Sequence, residues 1–139
     1  MARPAKITRY AHDMLHSDSP ASTLDAEALA RLRELDPSGA NGLLDRVINA
    51  YMNSLDRLIP ELMAARGAHL QLNTVLQVAH TLKSSSASLG ALKLSKLCAD
   101  VEMLARSGGG EHIEAEIDAM LAELDRARVA LAALRTAQP

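Results

Sequence analysis

The sequence predicts an all-α fold, an antiparallel up-down four-helix bundle with additional N-terminal helices, and two observations support this prediction. The hydrophobic fraction is 48%, yet the only aromatic residues are two tyrosines, so the core must be built from aliphatic side chains. Leu and Ala, which dominate that set, are strong helix formers. Apolar positions recur at spacings of three and four, and no run alternates apolar with polar residues as a half-buried strand would.

The chain of 139 residues has the length of a single domain, which we expect over residues 21–137. Residues 1–20 are interpreted as an N-terminal extension, with the apolar spacing of one short helix. The first helix of the bundle is expected to follow a cap at Ser22 or Thr23. It should end before Pro37, because a proline disfavours helix in the residue that precedes it.

A long second helix is expected after Asn41-Gly42, with its end near Gly67. Pro60 lies within this segment. Because proline removes one backbone hydrogen bond and its ring crowds the preceding turn, the sequence predicts either a kink or a division into two helices.

The third helix is predicted from Asn73 or Thr74 to the residue before Gly90, since glycine adopts the positive φ that ends many helices. The short connection that follows makes the fourth helix, from Leu92 to about Arg106, an antiparallel neighbour of the third. A glycine-rich break precedes the last helix. Its apolar residues alternate steps of four and three, which favours near-parallel packing of the helix axes.

Charge and composition exclude several classes of function. The formal net charge is −2 and the basic residues are dispersed, which gives no electrostatic reason to bind nucleic acid. No stretch has the ~18–20 consecutive apolar residues that a membrane span requires, and no secretory signal is recognisable, so we expect a cytoplasmic protein. Cys98 is the single cysteine, which excludes an internal disulfide and argues for a packing role.

His80 is the candidate for chemistry, because helical geometry turns it away from the apolar face of the third helix. That face is a stripe of apolar and small residues: Leu72, Val75, Ala79, Leu82, Ser86 and Leu89. At about 100° per residue, His80 lies well over 90° from the middle of the stripe. Ser84 and Ala87 share its side of the helix, and Lys83 lies to one side. Small neighbours and a nearby cation favour a ring that another macromolecule approaches and that carries an anion.

These residues resemble the motif of the histidine-containing phosphotransfer (HPt) domains of multistep phosphorelays, which runs roughly His-x-x-Lys-Gly-x-x-x-x-x-Gly. His80 falls on the phosphoacceptor, Lys83 on the lysine that stabilises the phosphoryl group, and Gly90 on the glycine near the end of the helix. Ser84 stands where the family more often has glycine, and it is still small. The resemblance extends over about residues 22–134.

The resemblance also implies roles in the fourth helix. Glu102 matches the position of the Gln or Glu that orients the histidine ring, and Arg106, four residues further on, is expected to pair with that carboxylate or to extend the cationic surroundings. The implied docking face around the histidine consists of Leu76, Gln77, Ser84, Ala87 and Ser88.

The activity implied by the resemblance is transfer of a phosphoryl group from a phospho-aspartate on one receiver domain to His80, and onward to an aspartate on a second receiver. The implied partners are receiver domains of response regulators and of hybrid sensor histidine kinases. No glycine-rich phosphate loop with lysine is present, so no autonomous kinase activity is expected. We expect no cofactor or metal in this chain, and Mg²⁺ on the receiver partner.

Two alternatives use the same sequence differently. The regular apolar steps of the last helix suit a dimer seam, so the chain could be a non-catalytic helical-bundle interaction or dimerisation module, although closing its own core as a monomer is the expected use. The second alternative is an enzyme that acts on a small phosphorylated molecule, but the sequence shows no second carboxylate or base near His80 for such a reaction.

His12 and His16 stand four apart, but two ligands do not make a zinc site, and we expect exposed side chains.

Overall fold

The computed structural model describes residues 23–135, and within this range the chain forms five α-helices and no strand. The helices are α1 (Ala26–Glu34), α2 (Leu43–Ala65), α3 (Leu72–Ser88), α4 (Leu92–Arg106) and α5 (Ile113–Leu134). The all-α prediction is confirmed. The helix expected within residues 1–20 and the pair His12 and His16 lie outside the described residues. So do the first two and the last two residues of the predicted domain, 21–22 and 136–137.

The start of α1 differs from the prediction. Its N-cap is Asp25, whose carboxylate accepts a hydrogen bond of 2.9 Å from the backbone N–H of Ala28. The expected cap at Ser22 or Thr23 is therefore wrong. Asp is as good an N-cap as Ser, and its carboxylate also interacts favourably with the positive end of the helix dipole. Capping preference alone therefore does not distinguish Ser22 from Asp25.

Helix α2 continues through Pro60 as one element of 23 residues. The proline is exposed, where the carbonyl that its ring leaves without a partner can be hydrated. The helix begins after Gly42, which has a φ of +60°. The preceding turn is closed by the carboxylate of Asp36, which accepts hydrogen bonds from the backbone N–H groups of Asn41 and Leu43 at 3.3 and 3.0 Å.

Polar contacts between helices show which of them run in opposite directions. In α3 and α4, His80 lies beside Glu102 while Lys83, further along α3, lies beside Ser95, nearer the start of α4. At one end of the α2/α5 pair, Arg66 binds two acidic residues of the first turns of α5, and at the other end Arg135 donates to an asparagine of α2. Both pairs are therefore antiparallel.

Helices α2 to α5 surround one aliphatic core. Its fully buried members include Ile48, Leu55, Leu62, Val75, Leu82, Leu94, Val101, Ile117, Met120 and Leu131. Cys98 is buried among them, and burial raises the pKa of its thiol to about 12. A packing role fits this position.

The end of α3 is joined to the start of α1. Gly90 follows α3 with a φ of +82°, and its carbonyl accepts a hydrogen bond of 2.7 Å from the backbone N–H of Asp25. A Cβ at position 90 would lie 3.0 Å from the Asp25 carbonyl oxygen. Both the backbone conformation and the close approach therefore require glycine here.

None of the helices within residues 23–135 combines the length and the apolar character needed to cross a membrane. A cytoplasmic location stays a prediction.

Candidate functional site

His80 lies in the middle of α3 with its ring outside the core. Its side chain is 58% exposed, whereas Val75, Ala79 and Leu82 of the same helix are buried. The direction of the ring is the one that the apolar periodicity predicted. Ser86, the polar member of the apolar stripe, is buried as well. Its hydroxyl is hydrogen-bonded to the hydroxyl of Tyr51 at 2.8 Å, which offsets the cost of burying a polar group.

Glu102 on α4 meets the imidazole from the neighbouring helix. One of its carboxylate oxygens, Oε2, lies 2.8 Å from Nδ1 of His80, and the glutamate side chain is only 7% exposed. The short Gly90-Ala91 connection allows α4 to pack antiparallel to α3, which places the second half of α4 beside the middle of α3. The structure thus brings together the two residues that the sequence analysis paired.

Lys83 and Arg106 both bind this carboxylate. The Lys83 ammonium donates to Oε1 of Glu102 at 2.6 Å, and the Arg106 guanidinium donates to Oε2 at 2.8 Å. Of the two cations, Lys83 is the more enclosed, with 36% of its side chain exposed against 65% for Arg106. Two cations therefore surround one carboxylate, next to an accessible ring.

These contacts determine which nitrogen of the ring is free. The hydrogen bond from Lys83, followed by that from His80, lowers the pKa of Glu102 from 4.5 to about 2 against the opposing effect of burial. The group is therefore a carboxylate at neutral pH, which only accepts hydrogen bonds. A neutral imidazole must then carry its proton on Nδ1, and its lone pair stands on Nε2.

The residues expected at the docking face share the outward side of α3 with His80. Three of them, Gln77, Ser84 and Ser88, are exposed, and two, Leu76 and Ala87, are half-buried. The Ser88 hydroxyl donates to the Ser84 carbonyl at 3.1 Å, within the helix. The surface beside the ring is therefore formed by short side chains on one flank and by a leucine and a glutamine on the other.

Ser95 is a residue of the site that sequence reasoning missed. Its hydroxyl donates to the backbone carbonyl of Lys83 at 2.7 Å, from α4 to α3. The available signal was its spacing: Ser95 precedes Glu102 by seven residues, two helical turns, so both must lie on the same side of α4.

Metal ligation finds no support in the part of the chain that the structure describes, because no three His, Cys, Asp or Glu side chains there lie close enough together to hold an ion. The absence of a cofactor in this chain, and Mg²⁺ on its partner, stay predictions.

An all-helical bundle that presents an accessible histidine, oriented by a carboxylate from the next helix, has the architecture of a phosphotransfer domain. Residues 46–130 match the family model of the Hpt domain. The match spans more than half of the chain, so the protein belongs to the Hpt domain family. It has a histidine phosphotransfer role in a phosphorelay, and HPt domains interact with receiver domains.

A solved structure supports the same assignment. The chain is similar to the crystal structure of histidine-containing phosphotransfer protein B (HptB) from Pseudomonas aeruginosa PAO1, with a TM-score of 0.65 and 27% sequence identity. The similarity covers 86% of this chain and 99% of that chain. No curated protein matches the sequence.

Proposed function

We propose that this protein relays a phosphoryl group between the aspartates of two receiver domains through phospho-His80. One observation carries the proposal: the exposed ring is held at Nδ1 by the buried carboxylate of Glu102, at 2.8 Å, which leaves Nε2 as the nucleophile. A nucleophile needs both access and a fixed tautomer. This pair of residues supplies both.

In the forward step, the lone pair of Nε2 attacks the phosphorus of an aspartyl phosphate. The new N–P bond forms as the P–O bond to the aspartate breaks, and the aspartate leaves as a carboxylate. Because Nε2 shares its lone pair with phosphorus while Nδ1 keeps its proton, the ring becomes positively charged. Glu102 stabilises that charge through the hydrogen bond from Nδ1. Onward transfer reverses these changes: the N–P electron pair returns to Nε2 as a second aspartate takes the phosphoryl group.

Lys83 and Arg106 are proposed to offset the negative charge of the phosphoryl group. Glu102 neutralises only one of these two cations, so the cluster has a surplus positive charge before any phosphoryl group arrives. Opposite charges within a few ångströms interact strongly where water is partly excluded, as at a docked interface. Arg106 uses one nitrogen to bind Glu102, and the other donors of its guanidinium can reach an anion.

The proposed docking face is the outward side of α3 around the ring: Leu76, Gln77, Ser84, Ala87 and Ser88. Short residues on this face let the receiver's aspartyl phosphate bring its phosphorus within reach of Nε2. A modest face with an apolar centre and polar surroundings is typical of transient signalling contacts. We further propose that the protein acts as a monomer without autonomous kinase activity, and that the Mg²⁺ needed for transfer is held by the receiver.

The test uses receiver domains that have been phosphorylated on aspartate with acetyl phosphate. An excess of phosphorylated receiver should give a phosphorylated product of this chain that is stable in alkali and labile in acid, as expected of a phosphoramidate. His80→Gln should abolish the product while the helix content stays unchanged, because the ring lies outside the core. His112→Gln is the matched control: this exposed histidine lies at the start of α5.

Other outcomes would contradict the proposal. A non-catalytic interaction module would bind partners and give no His80-dependent product. An enzyme for small phosphorylated molecules would consume its donor with turnover and without a receiver. A His80→Gln variant that is still labelled to the wild-type level would rule out His80 as the phosphoacceptor.

A further inference from the structure

Ser95 makes a hydrogen bond of a different kind from those of Ser85 and Ser88 on α3. Its hydroxyl, which is half-buried, donates from α4 to the backbone carbonyl of Lys83 on α3, at 2.7 Å. The hydroxyls of Ser85 and Ser88 donate to carbonyls of their own helix, both at 3.1 Å. The Ser95 bond therefore joins two helices, whereas the others stay within one.

Lys83 is thereby held by α4 at both of its ends. Its carbonyl accepts from Ser95, and its ammonium donates to Oε1 of Glu102 at 2.6 Å. The second oxygen of the same carboxylate meets Nδ1 of His80 at 2.8 Å. The three contacts link Ser95 to the imidazole by way of the Lys83 side chain and the Glu102 carboxylate.

We propose that Ser95 is a positioning residue for phosphotransfer. It sets the spacing and the axial register of α3 and α4 at the site, and so keeps Glu102 in hydrogen-bonding reach of His80. The inference rests on the proposed function of His80. Ser95 itself acts only through Lys83 and Glu102.

The physical reason is the directionality of hydrogen bonds. The buried residues of α4 beside Ser95, Leu94 and Cys98, pack through apolar contacts, which tolerate small sliding movements. A hydrogen bond weakens steeply once its donor and acceptor separate beyond about 3.2 Å or lose alignment. The contact of Glu102 with His80 is at 2.8 Å, so a slide of a fraction of an ångström between the helices is enough to weaken it.

The test compares Ser95→Val with Ser95→Thr, which have similar volumes and differ chiefly in the hydroxyl. The first readout is the tautomer of His80, measured by ¹⁵N NMR of the labelled imidazole in the free protein. The second is the rate of phosphotransfer from a receiver that has been phosphorylated with acetyl phosphate. Ser85→Ala, which removes a hydroxyl bonded within α3, is the matched control for the tautomer.

We expect Ser95→Thr to retain the wild-type tautomer ratio and transfer rate. Ser95→Val should lower the ratio of Nδ1–H to Nε2–H tautomer and the transfer rate by about fivefold, the effect of losing one hydrogen bond of average strength. Ser85→Ala should leave the tautomer ratio unchanged. Ser95→Ala, which adds no methyl group, provides a second hydroxyl-free variant should Ser95→Val perturb the helix packing.

The inference is overturned if the hydroxyl-free variants fold and match Ser95→Thr in both readouts. A merely structural role would lower stability and leave the tautomer of the folded protein unchanged, which would also overturn it. Failure of the wild-type protein to accept a phosphoryl group would be a failure of the proposed function instead. The two cases are distinguishable because the tautomer is measured without any partner.

Discussion

The ionisation of Glu102 should make an identifiable part of the protein's stability depend on pH. The pKa of this group is lowered from 4.5 to about 2 in the folded protein, chiefly by Lys83 and then by His80. The unfolded chain therefore binds this proton between pH 4.5 and 2, whereas the folded chain does not. The contribution is fully present above pH 4.5 and is lost as the pH falls towards 2.

The size of the contribution follows from the same two values. A tenfold change in proton affinity corresponds to about 1.4 kcal/mol, so the interval from 4.5 to about 2 sets an upper limit of about 3 kcal/mol. Arg106 is largely exposed and Lys83 partly so, and solvent screens both interactions. We therefore expect about 1–2 kcal/mol for the pH-dependent part.

The assay is chemical denaturation of the wild-type protein and of Glu102→Gln at several pH values from 7 to 2.5. The wild-type advantage in the free energy of unfolding should be greatest above pH 5 and should shrink by about 1–2 kcal/mol towards pH 2.5. Glu61→Gln, at an exposed position of α2, controls for the general effect of removing one carboxylate. A difference between wild type and Glu102→Gln that stays constant over this range would refute the assigned ion-pair cluster.

Three further predictions concern single side chains. Lys83→Ala should slow phosphotransfer about tenfold, since a charged hydrogen bond is lost, while the affinity for the receiver in a binding titration changes little. Gly90→Ala should lower the free energy of unfolding by about 2–3 kcal/mol, because the position has a positive φ and its new Cβ would lie close to the Asp25 backbone. Gly39 also has a positive φ, but a Cβ there would meet open space, so Gly39→Ala should cost about 1 kcal/mol in the same denaturation experiment. Tyr51→Phe leaves the buried Ser86 hydroxyl without its partner and should lower the midpoint of thermal unfolding, for a loss of about 1–2 kcal/mol.

The helices were predictable because their signals are local. The apolar steps of three and four placed the buried face of α3 and so the outward direction of His80, and the break at Gly90 placed its end within two residues. The bounds predicted for α4 agree with the structure for the same reason. The cap of α1 was not predictable from capping preference alone, because Ser22 and Asp25 have comparable preferences.

Contacts between helices depend on packing, which periodicity does not determine. The meeting of Glu102 with His80 was expected only because of the resemblance to a known family. That Lys83 binds Glu102, and that Ser95 joins α4 to α3, depend on the axial register of the two helices. A single sequence specifies the faces of two helices far better than their relative position along the axis.

The lone cysteine offers a built-in reporter of how the bundle opens. Cys98 sits fully enclosed on α4, one turn before Glu102, and its thiol reacts only as a thiolate that burial disfavours. Alkylation of the Cys98 thiol therefore requires a transient separation of α4 from the neighbouring helices. The labelling rate of this one sulfur in the native protein, with no engineered probe, would measure how often α4 opens behind the proposed phosphoacceptor His80, and whether binding of a receiver domain makes that opening rarer.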